Sequence, residues 1–553
     1  MPAKHPATST LTPEERARRI SLVVLFVVLL VISVVRIRLA PAPLERDEGE
    51  YAYAGQLLLH GVLPFDEMYN MKMPGIYVAY AAILAVFGQS VFGIHLGLLV
   101  VNAGAVLFLY ALTRRYLSPP AAVAAAGTFG WISLSSGVLG AFAHATQFVV
   151  FFGLAGLLVL MHPGRSVRWT HALGSGLLFG VAFMMKQHAA PFIVVAGVYL
   201  IWRVVTDDAL TPRARGASIV TFGAGVFAPF LATCGVLWAG GVFDTFWFWT
   251  FDYAGAYVAK NNATRIPENL GLAMRTIVPS TFLILILSLV GLVAMWKQRR
   301  VGLLIGGMLI AACIAVSPGF YFRTHYFVLM LPVLAVLCAL GAEALAGKLP
   351  ATVRGASATL AALGIVGVAW GQYALADRAY LLTQTPVEVS RTLYSFNPFP
   401  ESLEVARYLR EHTGPEDRIA VIGSEPQICF YAQRRSVSGF AYIYPLMEDQ
   451  PFAAEMQQQM IGEIENGAPK YAVLISVSSS WNANRNSDLR FMSWAQKYLM
   501  EKCERVGLID ITEAGTAYYW DEKQRGRQPI SQFWIGVYRV KENSASPTTP
   551  AAP

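Results

Sequence analysis

Charge is what this sequence has least of: Asp, Glu, Lys and Arg make up only 14% of the 553 residues. Soluble domains carry about a quarter, so a chain that is 55% hydrophobic with a mean hydropathy of +0.47 is read as a membrane protein. Cysteine is scarce as well, at five residues, and none shows metal-ligand spacing. Cys234, Cys313 and Cys338 lie in apolar runs and are expected to be buried, whereas Cys429 and Cys503 fall in a polar region where pairing is open. No glycine fingerprint for a nucleotide is present, because "GAGVFAPF" at 223 sits in an apolar run with no strand before it. No small-residue cleavage site follows the first apolar run, so that run is expected to stay as an anchor. With membrane spans this dense, the formal charge of +8 reads as Lys and Arg on the cytoplasmic side, with no nucleic-acid partner.

The long hydrophobic runs set the architecture. A bilayer core near 30 Å takes roughly 20 apolar residues per helix. Runs at about 20–37, 91–112, 121–139, 148–161, 171–185, 189–206, 217–239, 277–296, 302–317, 325–346 and 356–375 predict about eleven spans. Arg16, Arg18 and Arg19 place the N-terminal segment 1–19 in the cytoplasm. Arg114, Arg115, Arg165, Arg168, Arg203, Arg213, Arg215, Lys297, Arg299, Arg300, Lys348 and Arg354 then fall on the same side. The run Ile76 to Phe87 is too short to cross and reads as a helix in the outer interface, part of an external loop 41–90. The transmembrane domain is expected over 20–380.

From about Leu381 the pattern changes. Pro386, Pro398 and Pro400 punctuate a linker, "ESLEVARYLREH" has helical spacing, and "RIAVIG", "YAVLIS" and "FWIGVYRV" read as strands. An external α/β domain over 381–541 follows, expected to shape acceptor access, with a disordered tail at 542–553. The predicted fold class is therefore mainly α, with a smaller C-terminal α/β domain.

The candidate site sits in the first loop. "ERDEGEYAYAGQLLLHGVLPFDEMYNMKMPG" gathers six carboxylates, Glu45, Asp47, Glu48, Glu50, Asp66 and Glu67. Asp47 and Glu50 have the spacing of a capping box for a helix running to His60. A surface cap needs no further carboxylates beside it, so Asp47 and Glu48 are the catalytic candidates, as base or as ligands of a divalent metal ion. Lys72, Lys186 and Arg323 lie at predicted outer ends of helices, against the positive-inside bias. Snorkelling to headgroups is the bland account of Lys186. Arg323 and His325, in "SPGFYFRTHYFVLMLP", are not explained by an aromatic belt, and ionisable groups at that depth are functional candidates. Separated cations facing carboxylates suit chemistry on a lipid-linked phosphate.

These stretches resemble a known family. "RDEGEYAYAGQLLLHGVLPFDEMYNMKMPGIY" resembles the first external loop of GT-C-type glycosyltransferases, the class of protein O-mannosyltransferases and lipid A aminoarabinose transferases. The matching elements are Asp47-Glu48, the turn Gly61 to Pro64, and Lys72-Met73-Pro74-Gly75. "FGQSVFGIHLGLLVVNAGAVLFLYALTRRYL" is similar to the following stretch, with His95 where an Arg is common. "GLLFGVAFMMKQHAAPF" and "RTHYFVLMLP" resemble two later segments, and the order of motifs spans nearly the whole chain.

The resemblance implies a sugar donor on a polyprenyl phosphate, an unidentified envelope acceptor, and transfer at the outer face of a bacterial cytoplasmic membrane. It maps the loop acid onto Asp47 and the phosphate cradle onto Lys72 and Arg323. Tyr51, His325, Lys186 and His144 complete the substrate-binding candidates. Two departures stand out: His144 and Gln147 in "GAFAHATQFVV" replace an acid of many members, and Glu50 stands where aminoarabinose transferases have an Arg. Two rivals remain, a lipid-sugar transporter and a non-catalytic envelope scaffold. No internal repeat of the kind common in transporters is visible.

The topology is testable directly. Reporter fusions after Arg300 are expected to read cytoplasmic and fusions after Gly439 external. A cytoplasmic signal at Gly439 would overturn the external site.

Overall fold

A computed structural model describes residues 12–162, 166–259, 263–297, 299–350 and 357–541. The predicted tail 542–553, residues 1–11 of the predicted cytoplasmic segment, Arg165 and Arg354 lie outside the described residues. Every one of the eleven apolar runs is helical: α1 (Pro13–Leu39), α4 (Val91–Thr113), α5 (Pro119–Ile132), α6 (Ala145–Leu160), α7 (Trp169–Met185), α8 (Ala190–Val205), α9 (Pro212–Ala239), α12 (Ile266–Ala294), α13 (Arg299–Ala315), α14 (Leu331–Ala346) and α15 (Ser357–Ala376). Between them lie α2 (Arg46–Leu59), α3 (Gly75–Phe87) and the short helices α10 (Phe243–Trp247) and α11 (Ala254–Ala259). Among the described residues six helices are long and apolar enough to cross a membrane, and shorter apolar helices include α3, α6 and α7.

The apolar surface is arranged as lipid requires. On α1, Val23, Phe26, Leu30 and Val34 are exposed along one face, while Leu25, Val28, Ile32 and Val35 are buried on the other. Helical spacing puts each set on its own stripe, and both stripes are apolar. A soluble helix would carry polar groups on the exposed stripe, so the chain is a multi-pass membrane protein. Cys313, expected inside, is on this outer surface, Cys234 is half-buried, and Cys338 is buried as expected. Cys429 and Cys503 are both buried as free thiols and do not pair.

The third run is shorter than the sequence suggests. Helix α5 stops at Ile132, and the apolar residues after it form a 3-10 turn at Ser136–Val138 with Leu139 left-handed (φ 56°). The serines of "ISLSSGVLG" compete for backbone bonds there. Arg36 of α1 then satisfies the freed carbonyls of Ser133 and Gly140, each at 3.0 Å.

The C-terminal region carries a five-stranded sheet in the order β1-β2-β5-β3-β4, with β1 (Ile419–Ile422), β2 (Tyr471–Ser476), β3 (Cys503–Thr512), β4 (Gly515–Trp520) and β5 (Phe533–Val540). Only β1 and β2 run parallel; the other pairings are antiparallel. The predicted strands are β1, β2 and β5, and the predicted helix is Phe399–His412. β3 and β4 were not anticipated.

Inside the bundle, α12 and α14 cross through two glycines. A Cβ on Gly291 would lie 1.8 Å from the Leu337 carbonyl oxygen, and one on Gly341 2.0 Å from that of Leu287. Small residues permit this backbone approach in membranes, where dispersion drives helix association. Gly291→Val is expected to lower the Tm and reduce the monodisperse fraction, an overpacking cost of about 1–3 kcal/mol or more. Gly364→Val, at a site with nothing within 4 Å, serves as the control and should leave both unchanged.

Candidate active site

The first loop begins with a turn of α2 whose register differs from the sequence expectation. The N-cap is Glu45, and its box partner is Glu48: Glu45 Oε1 accepts from the Glu48 N–H at 2.8 Å. The spacing x-x-E occurs twice in "ERDEGE", two residues apart, and the chain enters the helix at the earlier one. Asp47 is therefore not the cap, and its carboxylate is free for other partners. At the far end, Gly61 is left-handed (φ 81°), and Gly61 and Val62 donate to Leu58 and Leu57 at 3.0 Å each, a Schellman stop.

Each carboxylate has its own task. Glu48 is fully buried, and its Oε1 accepts from His95 Nε2 at 3.0 Å and from the Ala143 N–H at 2.5 Å. Glu50 accepts from the Tyr77 hydroxyl at 2.6 Å and the Asn70 amide at 2.7 Å. Glu67 pairs with Arg418 and Arg435 of the C-terminal region at 3.2 and 3.1 Å. Asp47 Oδ1 takes the Lys72 ammonium at 3.0 Å and the Tyr442 hydroxyl at 3.1 Å. Its Oδ2 faces His144 Nδ1 at 3.9 Å.

Around Asp47 the predicted residues converge from separate elements. His144, at the start of α6, stacks on His325 with ring centroids 4.2 Å apart. Asp47, His144 and His325 each offer a ligand atom, all within 4.8 Å of one another. Both His144 ring nitrogens lack a hydrogen bond among the described residues. Lys186 is 9% exposed, with its ammonium 4.3 Å from the Tyr326 ring centroid. It is thus buried beside an aromatic face and does not snorkel. Tyr51 is buried, its ring 5.7 Å from Lys72 Nζ. Arg323 is exposed, over the Tyr321 ring at 5.4 Å, with no carboxylate in ion-pair range among the described residues.

Electrostatics follow from this crowding. Burial alone would raise Asp47, but Lys72 foremost, then His325, His144 and Lys186, hold its carboxyl well below the usual range. Burial likewise opposes the Lys72 charge, and Asp47 and Glu50 reverse that and push it up. Glu50 goes the other way: burial, reinforced by Asp47, lifts it to about 7 against the opposing Lys72.

Tyr442 is the residue that sequence reasoning missed. It stands in "SGFAYIYPL", far from any motif, and only folding brings it to Asp47. Its segment is tied to the loop by Tyr69 N–H to the Gly439 carbonyl at 2.6 Å and by Ser436 N–H to the Tyr53 hydroxyl at 2.8 Å. Arg46 adds a bond to the Ser424 carbonyl and an ion pair with Glu425, each at 2.6 Å.

The raised Glu50 gives a pH prediction. A group whose folded pKa exceeds its unfolded one contributes stability that is complete below the unfolded value, 4.5, and lost as pH rises through about 7. Wild-type Tm is expected to fall more between about pH 5 and 8 than that of Glu50→Gln, by thermal unfolding in buffered detergent.

Residues 72–232 match the family model described as dolichyl-phosphate-mannose-protein mannosyltransferase. No curated protein matches the chain in sequence. Among solved structures, ArnT from Cupriavidus metallidurans bound to undecaprenyl phosphate superposes with a TM-score of 0.58 at 16% identity, covering 95% of this chain and 99% of that one. The archaeal oligosaccharyltransferase AglB from Archaeoglobus fulgidus, in complex with an inhibitory peptide and a dolichol-phosphate, gives 0.52 at 15%, covering 92% and 75%. The same oligosaccharyltransferase in complex with Zn and sulfate gives 0.50 at 14%, covering 90% and 73%. In fold along most of its length, and in sequence pattern over 72–232, the chain resembles the GT-C-type integral membrane glycosyltransferases.

Proposed function

We propose that the protein is a glycosyltransferase that moves a sugar from a polyprenyl-phosphate-linked donor to an envelope acceptor, at the outer face of a bacterial cytoplasmic membrane. The observation that carries this reading is the Asp47–Lys72 pair, with Lys186, His144 and His325 around it and Arg323 near its edge. The family match and the lipid phosphates bound by the structural relatives support it over a transporter or a scaffold. In this orientation the N-terminus is cytoplasmic, and residues 381–541 form the external domain.

The reaction needs two things. A polyprenyl phosphate leaves only if its growing negative charge is stabilised, and an acceptor hydroxyl attacks better with a base beside it. Lys72 and Arg323 hold the phosphate oxygens, the Arg through its two-pronged guanidinium. Lys186 adds positive charge in a dry setting, where it counts for more. Asp47 removes the acceptor proton through Oδ2, the oxygen that neither Lys72 nor Tyr442 occupies. A depressed carboxyl is a weak base, and the donor itself corrects this. When the anionic phosphate draws the Lys72 ammonium, Asp47 loses part of its neutralising charge and its basicity rises. The outcome is a single displacement with inversion.

Glu48, counted with Asp47 as a catalytic candidate from the sequence, is enclosed by its own hydrogen bonds and acts here as a positioning residue. Tyr51 forms the aromatic wall behind Lys72. Asp47, His144 and His325 fit a divalent cation, since His144 has unused ring nitrogens and the three ligand atoms converge. When bound, such an ion would supply Lewis-acid stabilisation of phosphate oxygens.

The test is turnover in proteoliposomes with a panel of undecaprenyl-phosphate sugars, read as release of undecaprenyl phosphate. Asp47→Asn is expected to insert and bind donor normally while turnover drops by about two or more decades. Arg323→Lys keeps the charge but loses the fork, so donor binding weakens too. Tyr442→Phe removes a hydrogen bond to the carboxylate, so the acid limb of the pH profile should move to higher pH. Near-normal turnover of Asp47→Asn would sink the assignment.

A further inference from the structure

A polar crevice of about 340 Å³ opens at the opposite end of α2 from Asp47. Its wall combines the first loop, through Gln56, His60 and Gln89, with the C-terminal region, through Gln433, Arg434 and Arg435. That volume lies within the range of small-molecule clefts, about 300–1,000 Å³. Thirteen residue steps along the helix separate Asp47 from His60, or roughly 20 Å at 1.5 Å each.

Of the two arginines in the crevice, Arg434 is fully engaged and Arg435 has one ion pair. Arg434 donates from Nε to the Thr413 hydroxyl at 2.8 Å, and its terminal nitrogens donate to the carbonyls of Ala432, Gln433, Arg410 and Thr413 at 2.7–3.3 Å. Arg435 is paired with Glu67 at 3.1 Å. An anion entering here would find no unengaged guanidinium in Arg434. What remains is hydrogen-bonding capacity in the exposed Glu416 carboxylate, which accepts, and in the glutamines and His60. Gln56 Nε2 donates to Gln89 Oε1 at 2.8 Å, which leaves Gln56 Oε1 and Gln89 Nε2 without partners among the described residues. His60 uses Nδ1 against the Gln56 carbonyl at 2.8 Å, leaving Nε2. The Gln433 amide is exposed and has no side-chain bond among the described residues.

Gln433 is also held left-handed (φ 54°) as the cap of the helix Gln427–Ala432. That position favours Gly or Asn, and a bulkier residue there costs about 1–3 kcal/mol. Glycine would cap the helix without strain, but it would remove an amide from the crevice. Donors and acceptors of this mixed kind, with the Glu416 carboxylate to accept from hydroxyls and with Leu57 and Tyr53 beside them, match the alternating hydroxyl and C–H faces of a sugar.

We infer that the crevice between the end of α2 and the Gln433–Arg435 segment is a binding site for a neutral saccharide, remote from the transfer site. It requires nothing of the transfer reading above. Where both hold, it receives an outer unit of a glycan several sugars long.

The experiment uses the full chain in nanodiscs, free of glycoside detergents, and saturation-transfer NMR with methyl glycosides of glucose, mannose, galactose and N-acetylglucosamine. At least one glycoside is expected to give a saturable signal that inorganic phosphate does not displace. Gln89→Ala and Gln433→Gly should each weaken it by about tenfold, the worth of one or two hydrogen bonds. Gln433→Gly relieves the backbone strain, so its Tm should hold or rise and the loss cannot be ascribed to unfolding. Asp47→Asn should leave the signal intact. The inference fails if no glycoside binds at tens of millimolar. It fails equally if phosphate competes, if Gln433→Gly and Gln89→Ala bind as wild type, or if Asp47→Asn abolishes the signal.

Discussion

Glu48 has no access to solvent, yet its carboxylate accepts from a ring nitrogen of α4 and from the backbone N–H just before α6. Three segments that carry the site meet at this one group. Asp47 is its neighbour on α2, His144 is the neighbour of Ala143, and His95 is itself tied to the Ala40 carbonyl at 2.7 Å. A buried carboxylate without partners would be strongly destabilising, so the surrounding backbone is obliged to supply them. The geometry of Asp47 and His144 is fixed as a by-product of that obligation. Such support holds neighbouring side chains in fixed relative positions.

A second constraint comes from outside the bundle. The C-terminal region reaches the first loop through Arg46, Glu67, Tyr69 and Tyr53, and through Tyr442 it reaches Asp47 itself. The loop is thus held between membrane helices on one side and the C-terminal region on the other. Most of its buried polar atoms are bonded, Glu67 Oε2 excepted, as buried polar groups generally are.

The helices and the switch to an α/β pattern were legible in the sequence because both rest on local periodicity. The eleven apolar runs became helices, and β1, β2 and β5 were readable from short β-branched runs. The end of α5 was not, because Arg36 stabilises a turn there from another helix. Nor were β3 and β4, whose "CERVGLIDIT" and "GTAYYW" lack the bounded alternation of the others. Charged residues out of place in an apolar chain were visible one at a time, so Asp47, Lys72, Lys186, His144, His325 and Arg323 could all be named. Their pairing could not. The stacking of His144 on His325 and the bond from Tyr442 join residues whose separation along the chain leaves no local trace. The capping register failed for a smaller reason, since two boxes with identical spacing overlap in "ERDEGE" and only the entry of the chain from α1 chooses between them.

The hydrogen bond from Tyr442 spans 395 positions of the chain. Synthesis runs from the N-terminus, so Asp47 and Lys72 are made long before their last partner exists. During that interval the carboxylate has its cation but not its hydroxyl. Assembly of the candidate site is therefore tied to completion of the polypeptide, and a chain stopped before Tyr442 carries Asp47 and Lys72 without that hydroxyl.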